Sequence, residues 1–428
     1  MGKNVIKAAL LGAGTVGSGV YALSGMLADE MMQKTGGTLE IKKVMVRDLS
    51  KDRDDIPKEL LTAEWTDILH DEEIQLVIEV MGGVEPARTY IEQAIMAGKQ
   101  VVTANKDLLA EHGQELLMLA EERGVDLQFE AAVAGAIPII RPLKQNMTAG
   151  LLTEICGIVN GTTNFILTKM AEEGMGYEEA LAMATELGYA ETDPTADVEG
   201  YDAGRKMAII ASLAYSSNVV FSDVYTEGIT KITAEDMYYA KEFGYVIKLV
   251  GIAKTVDGQL EVRVHPMLIP DHHPLASVRD SFNAVFIHGD ACDDEMFMGR
   301  GAGKMPTASA VMGDVMTVIR NILHDNCGWN GGLAYKRLPV KVIEETKNRF
   351  FLRLKISGKT GTLANIASVL GNNEVNIHQV VSKFTKDGSQ ELVITTGNVL
   401  EQDFNNALMI LEGMSSILKV CSRIRVYG

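Results

Sequence analysis

The segment VIKAALLGAGTVG, residues 5–17, constrains the fold of this chain more than any other stretch. VIKAALLG reads as a buried strand, a helix to about Met32 follows, and the junction is a G-x-G-x-x-G hexapeptide: Gly12, Ala13, Gly14, Thr15, Val16 and Gly17. The first glycine of such a junction permits a tight turn, and the second lets a pyrophosphate approach the backbone at a helix N-terminus. The third allows close helix packing. That context assigns the hexapeptide to dinucleotide binding, the plainer alternative being a glycine turn kept for packing.

After it, LEIKKVMV and apolar strands ending at Val80, Thr103 and Glu130 alternate with helix-like segments. The alternation predicts an α/β fold with a doubly wound parallel sheet over residues 1–140, to which 300–330 return. The second strand ends in Arg47-Asp48. An arginine accepts the 2′-phosphate of NADP, an acid holds the ribose 2′-hydroxyl of NAD, and Lys51 and Arg53 add positive charge on the NADP side. An ordinary solvated turn accounts for Lys51 and Arg53 equally well.

At 428 residues the chain is long enough for two or three domains. Its net charge of −17, with no basic patch to offset it, speaks against a nucleic-acid or anionic-membrane partner. No run approaches the roughly 18 to 20 apolar residues of a spanning helix. Lys7 splits the only signal-peptide-like run, and Ile6 stands where myristoylation needs Ser or Thr. Cys156, Cys292, Cys327 and Cys421 form no CxxC pair and no disulfide framework, which suits a cytoplasmic protein. His265, His272, His273 and His288 lack the spacing of a zinc site.

Residues 141–300 mix strands (LTEICGIVNGT, QLEVRVHPMLI, NAVFIHG) with helices (YEEALAMATELGYA, RKMAIIASLAY), as expected of an α+β substrate-binding domain. Within it DVEGYDAGRKMAII crowds Asp197, Glu199, Asp202, Arg205 and Lys206 beside a helix that reads as apolar and buried. Such groups are costly to desolvate without purpose. Asp202 and Lys206 stand at i and i+4, on one helical face. A surface salt bridge is the plain reading of that pair, and turn or cap chemistry around Pro194 that of Asp193 and Glu199. The glycine-dense GRGAGKMPT (299–307) lacks the first glycine and the Ser/Thr of a Walker loop. It reads instead as backbone, Gly303 included, that approaches a cofactor or a neighbouring strand. After a polar linker (331–348), residues 349–428 read β-α-β-β-α-β, a ferredoxin-like order.

Taken together, GAGTVG, TANK (103–106), FEAAVAGAIPII (129–140), NGTTNFIL (160–167), LGYAETDPTADVEGYDAGRKMAI and GRGAGKMPTASAV resemble the long bacterial type of homoserine dehydrogenase, and the tail resembles an ACT domain. The resemblance implies NAD(P)-dependent interconversion of L-homoserine and L-aspartate 4-semialdehyde, serving threonine, methionine and isoleucine biosynthesis. It implies Lys206 as the acid/base, Lys106 beside the same oxygen and the nicotinamide, and Glu191, Asp197 and Asp202 in the substrate pocket. Thr103 and Gly303 fall on the cofactor side. Glu130 with the carbonyls of Val133, Gly135 and Ile137 matches a sodium site, oxygen-only ligation suiting a hard ion; capping a loop is the simpler role for Glu130. A homodimer through the middle domain and an amino-acid effector at the tail also follow. The tail departs from its pattern: Ser357-Gly358-Lys359-Thr360-Gly361 stands where ACT loops often carry Asp-Lys-Pro-Gly. The alternatives are another small amino- or hydroxy-acid dehydrogenase and a catalytically inactive metabolite sensor.

Overall fold

A computed structural model describes residues 4–53, 56–384 and 389–428. The chain forms two compact units: Met1–Thr153, Arg205–Asp223 and Asn283–Leu338 make the first, and Glu154–Gly204, Val224–Phe282 and Pro339–Gly428 the second.

The first unit opens with β1 (Asn4–Leu11), α1 (Thr15–Met26), α2 (Ala28–Thr35), β2 (Gly37–Met45), β3 (Leu61–Thr62), α3 (Thr66–Leu69), β4 (Ile74–Glu79), α4 (Ala87–Met96), β5 (Gln100–Thr103), α5 (Lys106–Arg123) and β6 (Leu127–Gln128). The strands pair in parallel in the order β3-β2-β1-β4-β5-β6, which reverses direction at β1, and open parallel sheets bind ligands at such a switch point. The α/β fold with a parallel first sheet is therefore as the sequence predicts. The expected single helix after β1 is two. The backbone bends at Leu27 (φ −98, ψ 9), and Leu23, Leu27 and Met31 all lie against one core as a result.

The chain continues through β7 (Leu152–Ile158), α6 (Gly161–Glu173), α7 (Tyr177–Glu186), α8 (Thr195–Val198), α9 (Tyr201–Tyr215), β8 (Tyr225–Thr226), α10 (Ala234–Glu242), β9 (Tyr245–Val256), β10 (Gln259–Pro270), β11 (Phe282–Gly289), β12 (Asp293–Arg300) and α11 (Lys304–Leu323). NGT does not extend β7 as the sequence reading had it. Asn160 instead caps α6, its side chain accepting from the Thr163 amide at 2.9 Å, and caps of this kind are worth about 1 kcal/mol. In the first unit, α11 presents Ala308, Val311, Met312, Val315, Val318 and Ile319 at helical spacing to the core of β1, β2 and β4.

In the second unit β9, which the sequence reading passes over, pairs antiparallel with β10 from Val256↔Gln259 to Tyr245↔Pro270. The two-residue turn between them is Asp257-Gly258, with φ 54 and 78, the type I′ geometry that matches strand twist. The tail comprises β13 (Lys347–Ser357), α12 (Thr362–Asn372), β14 (Ile377–Phe384), β15 (Ser389–Thr396), β16 (Val399–Leu400), α13 (Glu401–Glu412) and β17 (Ile417–Val426). Its main strands run antiparallel in the order β17-β13-β15-β14, and Phe350 stacks on Phe404 at 3.7 Å in its core. β17 also pairs in parallel with β10 (Met267↔Arg425, Leu268↔Val426), making the tail continuous with the sheet of β7, β9 and β10. Among the described residues no helix is long and apolar enough to cross a membrane.

Candidate active site

The carboxyl ends of β1, β2 and β4 border a cleft of about 790 Å³ lined by Gly12, Ala13, Gly14, Arg47, Asp48 and Met81, among others. Its floor is dictated by backbone. Gly12 has φ +101, and a Cβ there would stand 2.9 Å from the Val80 carbonyl oxygen, whereas a Cβ on Gly14 would meet nothing within 4 Å. The position at which a pyrophosphate must come close is therefore open, as the motif requires. Gly17 differs in detail from the expectation. A Cβ on it would lie 2.0 Å from the Gly12 oxygen, so it lets the helix close on its own entry turn; helix-on-helix packing falls to Gly19, whose Cβ would stand 2.9 Å from Ala308 Cβ.

At the rim Arg47 is exposed. The neighbouring charges are engaged in the loop itself. Asp48 Oδ1 accepts from the Ser50 amide (2.9 Å) and hydroxyl (2.6 Å), which hold its carboxyl below the usual range, and Arg53 donates to the carbonyls of Asp48 and Lys51. For Arg53 the ordinary-turn reading describes what is seen.

Thr103 ends β5 fully buried, and its hydroxyl donates to Glu79 Oε2 at 2.6 Å. Glu79, which no sequence motif marks, also accepts from the amides of Met81 (2.7 Å) and Gly82 (3.3 Å) in the cleft wall. Burial pushes its carboxyl up. Asn105 caps α5 by accepting from the Leu108 amide and donates to the Gly83 carbonyl at 2.6 Å, so Lys106 enters as the first residue of α5. The next residue, Asp107, pairs with Arg205 at 3.1 Å, and the Arg205 guanidinium lies 4.7 Å from the Phe221 ring centroid. One ion pair thus ties the turn carrying Lys106 to the turn carrying Lys206. Arg205, which reads from the sequence as supporting structure, is the tie, and Lys206 itself is buried.

In the second unit Asp202 is buried and Asp197 half-buried. One side-chain amide joins them: Asn160 Nδ2 donates to Asp197 Oδ1 at 2.6 Å and to Asp202 Oδ2 at 2.9 Å. Two carboxylates thus face one side-chain amide. Asn160 lies in the NGTTNFIL stretch, where its only sequence signal is that of an N-cap residue whose amide has a second end to use. Glu191 is exposed in the loop before Pro194, outside this cluster of hydrogen bonds. Asp193 accepts from the Thr195 amide at 3.1 Å, which is turn chemistry, and Glu199 accepts from the Thr230 hydroxyl at 3.4 Å.

Glu130 is buried, and its carboxylate accepts the amides of Ile139 (2.6 Å), Ile140 (2.7 Å) and Arg141 (2.9 Å). It therefore caps the helical turn that follows. Its own amide donates to Asp314, which Arg141 meets at 2.8 Å. Three amides thus take most of the roughly four acceptor directions that a carboxylate offers. Gly135 in that turn has φ +56, and a Cβ there would stand 2.5 Å from the Gly301 oxygen; in turn a Cβ on Gly301 would collide with Asn283. The 299–303 loop thus serves close backbone approach, and Gly303 (φ 124) caps α11. Among the described residues no cluster of three or more His, Cys, Asp or Glu is arranged to hold a metal ion.

Known proteins share this architecture. The family model for the homoserine dehydrogenase NAD binding domain matches residues 12–130, and that for homoserine dehydrogenase matches 138–316. The homoserine dehydrogenase of Bacillus subtilis is 45% identical over 99% of this chain and 98% of its own, and that of Corynebacterium glutamicum 42% identical over 98% and 95%. Among solved structures, a homoserine dehydrogenase from Thiobacillus denitrificans superposes with a TM-score of 0.94 at 39% identity, covering 100% of this chain and 99% of the other. A hyperthermophilic archaeal homoserine dehydrogenase in complex with NADPH aligns at TM-score 0.62 and 25% identity over 73% of this chain and 97% of its own.

Proposed function

The chain belongs to the homoserine dehydrogenase family, an NAD(P)-dependent oxidoreductase interconverting L-homoserine and L-aspartate 4-semialdehyde, and on that premise we propose the roles of its residues. The bound nicotinamide supplies or accepts the hydride. Reduction of the aldehyde builds negative charge on its oxygen, and Lys206 donates the proton there; in the oxidative direction its neutral amine takes the hydroxyl proton. Lys106, at the positive end of α5, stabilises the same oxygen. A donor acting where charge develops binds the transition state more than the ground state, which is what raises kcat. Asp197 and Asp202, held together by Asn160, take the substrate ammonium, and Glu191 completes the pocket when its loop meets the substrate.

The observation that carries this reading is the pairing of Arg205 with Asp107, which ties together the two lysine-bearing turns. Lys206→Ala is expected to lower kcat for L-homoserine by about 10²–10⁴-fold, the usual worth of a positioned acid/base. Nearly full activity in that variant would sink the role of Lys206.

NADP is the preferred cofactor in this reading, because Asp48 is engaged by Ser50 while Arg47 stays exposed at the rim. The oxygens of Glu130, Val133, Gly135 and Ile137 suit a sodium ion, which would stiffen the turn beneath the site without joining the chemistry. A homodimer through the middle segment and an amino-acid effector at the tail complete the proposal; light scattering and inhibition by L-threonine test them.

A further inference from the structure

The helix bearing Asp197 is a single turn, too short to hold itself in place. Asn160 secures its carboxylate from one side. From the other, the Ile229 amide donates to the Val198 carbonyl at 2.8 Å, and Gly228 lies so close that a Cβ would stand 2.2 Å from the Val198 oxygen and 2.6 Å from Glu199 Cα. The position of residues 227–230 therefore sets the position of residues 197–199.

Glu227 fixes that neighbouring segment. Its amide donates to the Val264 carbonyl at 2.8 Å, and its Oε2 accepts from the Arg425 guanidinium (2.8 Å) and the Tyr225 hydroxyl (3.1 Å). Arg425, in β17, is buried and is itself held by both oxygens of Glu401 at the start of α13, with Asn348 donating to the same carboxylate at 2.9 Å. The tail is already anchored by the pairing of β17 with β10 and by its own apolar core, so one further bond from Arg425 to a loop is not needed to fasten it.

We propose that Glu227, oriented by Arg425 of the last strand, is a positioning residue for Asp197, so that the C-terminal sheet sets the enzyme's affinity for its amino-acid substrate. The contacts run unbroken from Glu401 through Arg425, Glu227 and Gly228 to Val198 and Asp197. This inference rests on Asp197 and Asp202 as the substrate carboxylates.

Steady-state kinetics of the full-length protein test it. Glu227 is about a quarter exposed (24%), so Glu227→Gln keeps shape while removing the charge. We expect a rise of about fivefold in KM for L-homoserine, with kcat and KM for NADP changed less than about twofold and Tm within about 2 °C. Gly228→Ala, which forces a Cβ against Val198, is expected to raise the same KM by more than about tenfold. Equal rises in both substrates' KM, or no rise in either variant, overturn the proposal. Asp197→Asn measured alongside separates the two layers: if it raises the homoserine KM while Glu227→Gln does not, this inference alone fails; if Asp197→Asn has no effect, the substrate assignment fails. The double variant should show a KM no higher than Asp197→Asn alone, and a multiplicative increase would show that Glu227 does not act through Asp197.

Discussion

The glycine-floored cleft and the carboxylates proposed to hold the substrate are built by opposite means. The floor of the cleft is backbone from one short stretch, where Gly12 and Gly17 leave no room for a Cβ and Gly14 keeps space open. The carboxylates are set by side chains that meet from far apart in sequence: Asn160, Asp197 and Asp202, then Glu227 and Arg425. A backbone-built site fails by steric collision at one atom. A side-chain-built site fails by degrees, as one bond after another is withdrawn.

The largest effect expected on the cleft side follows from the unequal space at two glycines. Gly17→Ala drives a Cβ to within 2.0 Å of a carbonyl oxygen, and should cost several kcal/mol of stability or prevent recovery of folded protein. Gly14→Ala meets open space in the free protein, so its Tm should stay near wild type while nicotinamide cofactor affinity falls about 100-fold. Thermal melts with and without NADPH separate these outcomes. A Gly17→Ala protein as stable as wild type would remove the steric account.

A buried lysine near the Asn160 cluster carries a pH signature of its own. Lys248 is buried, donating to Asn164 Oδ1 (3.0 Å) and the Val278 carbonyl (2.6 Å), and Asn164 lies one turn after Asn160 on α6. Burial pushes the Lys248 ammonium down to about 8 from 10.5. Below pH 8 both folded and unfolded chains carry the proton, and the buried charge is at its most costly. Between about 8 and 10.5 the folded form releases it while the unfolded form keeps it, so stability contributed at this residue rises with pH. Relative to Lys248→Met, wild type should gain up to about 3 kcal/mol across that window in urea denaturation. A difference that stays flat with pH would mean that Lys248 keeps its proton throughout.

Smaller is the expected effect at Asn160. Asn160→Ala removes the shared amide and one helix cap, and should lower kcat/KM for L-homoserine by about 30-fold, chiefly through KM, as expected for about 2 kcal/mol of lost positioning. Nicotinamide KM should not follow. If both KM values rose together, the two sites would not be independent in the way their construction suggests.

The same contrast explains what could be read in the sequence. The parallel sheet and its glycine turn were legible because strand periodicity and glycine placement act over a few residues, and so was the β-α-β-β-α-β tail. The roles of Asn160, Glu79, Arg205 and Glu227 were not. Each acts on a partner 24 or more positions away, and nothing in local spacing distinguishes such a residue from an ordinary cap or surface charge. The β9–β10 hairpin was missed for a different reason: its Asp257-Gly258 turn is a recognisable local signal, but β9 is buried along most of its length and shows no alternation.

The smallest effect expected concerns cofactor choice, where two adjacent charges of opposite sign compete. Arg47 is exposed at the rim of the cleft, and the Asp48 carboxylate accepts two hydrogen bonds from Ser50. If Arg47 receives the 2′-phosphate, Arg47→Ala should lower kcat/KM for NADPH by about tenfold and leave NADH within about twofold, since an exposed charge-assisted contact is worth only about 1–2 kcal/mol. Asp48→Asn should then change neither by much, because Asp48 Oδ1 already accepts two hydrogen bonds within its own turn. The opposite pattern, with NADH use lost in Asp48→Asn and NADPH unaffected in Arg47→Ala, would mean that Asp48 leaves Ser50 to hold a ribose hydroxyl. The rim of the cleft would then be set by side chains, as the Asn160–Asp197–Asp202 cluster is, and only its glycine floor by backbone.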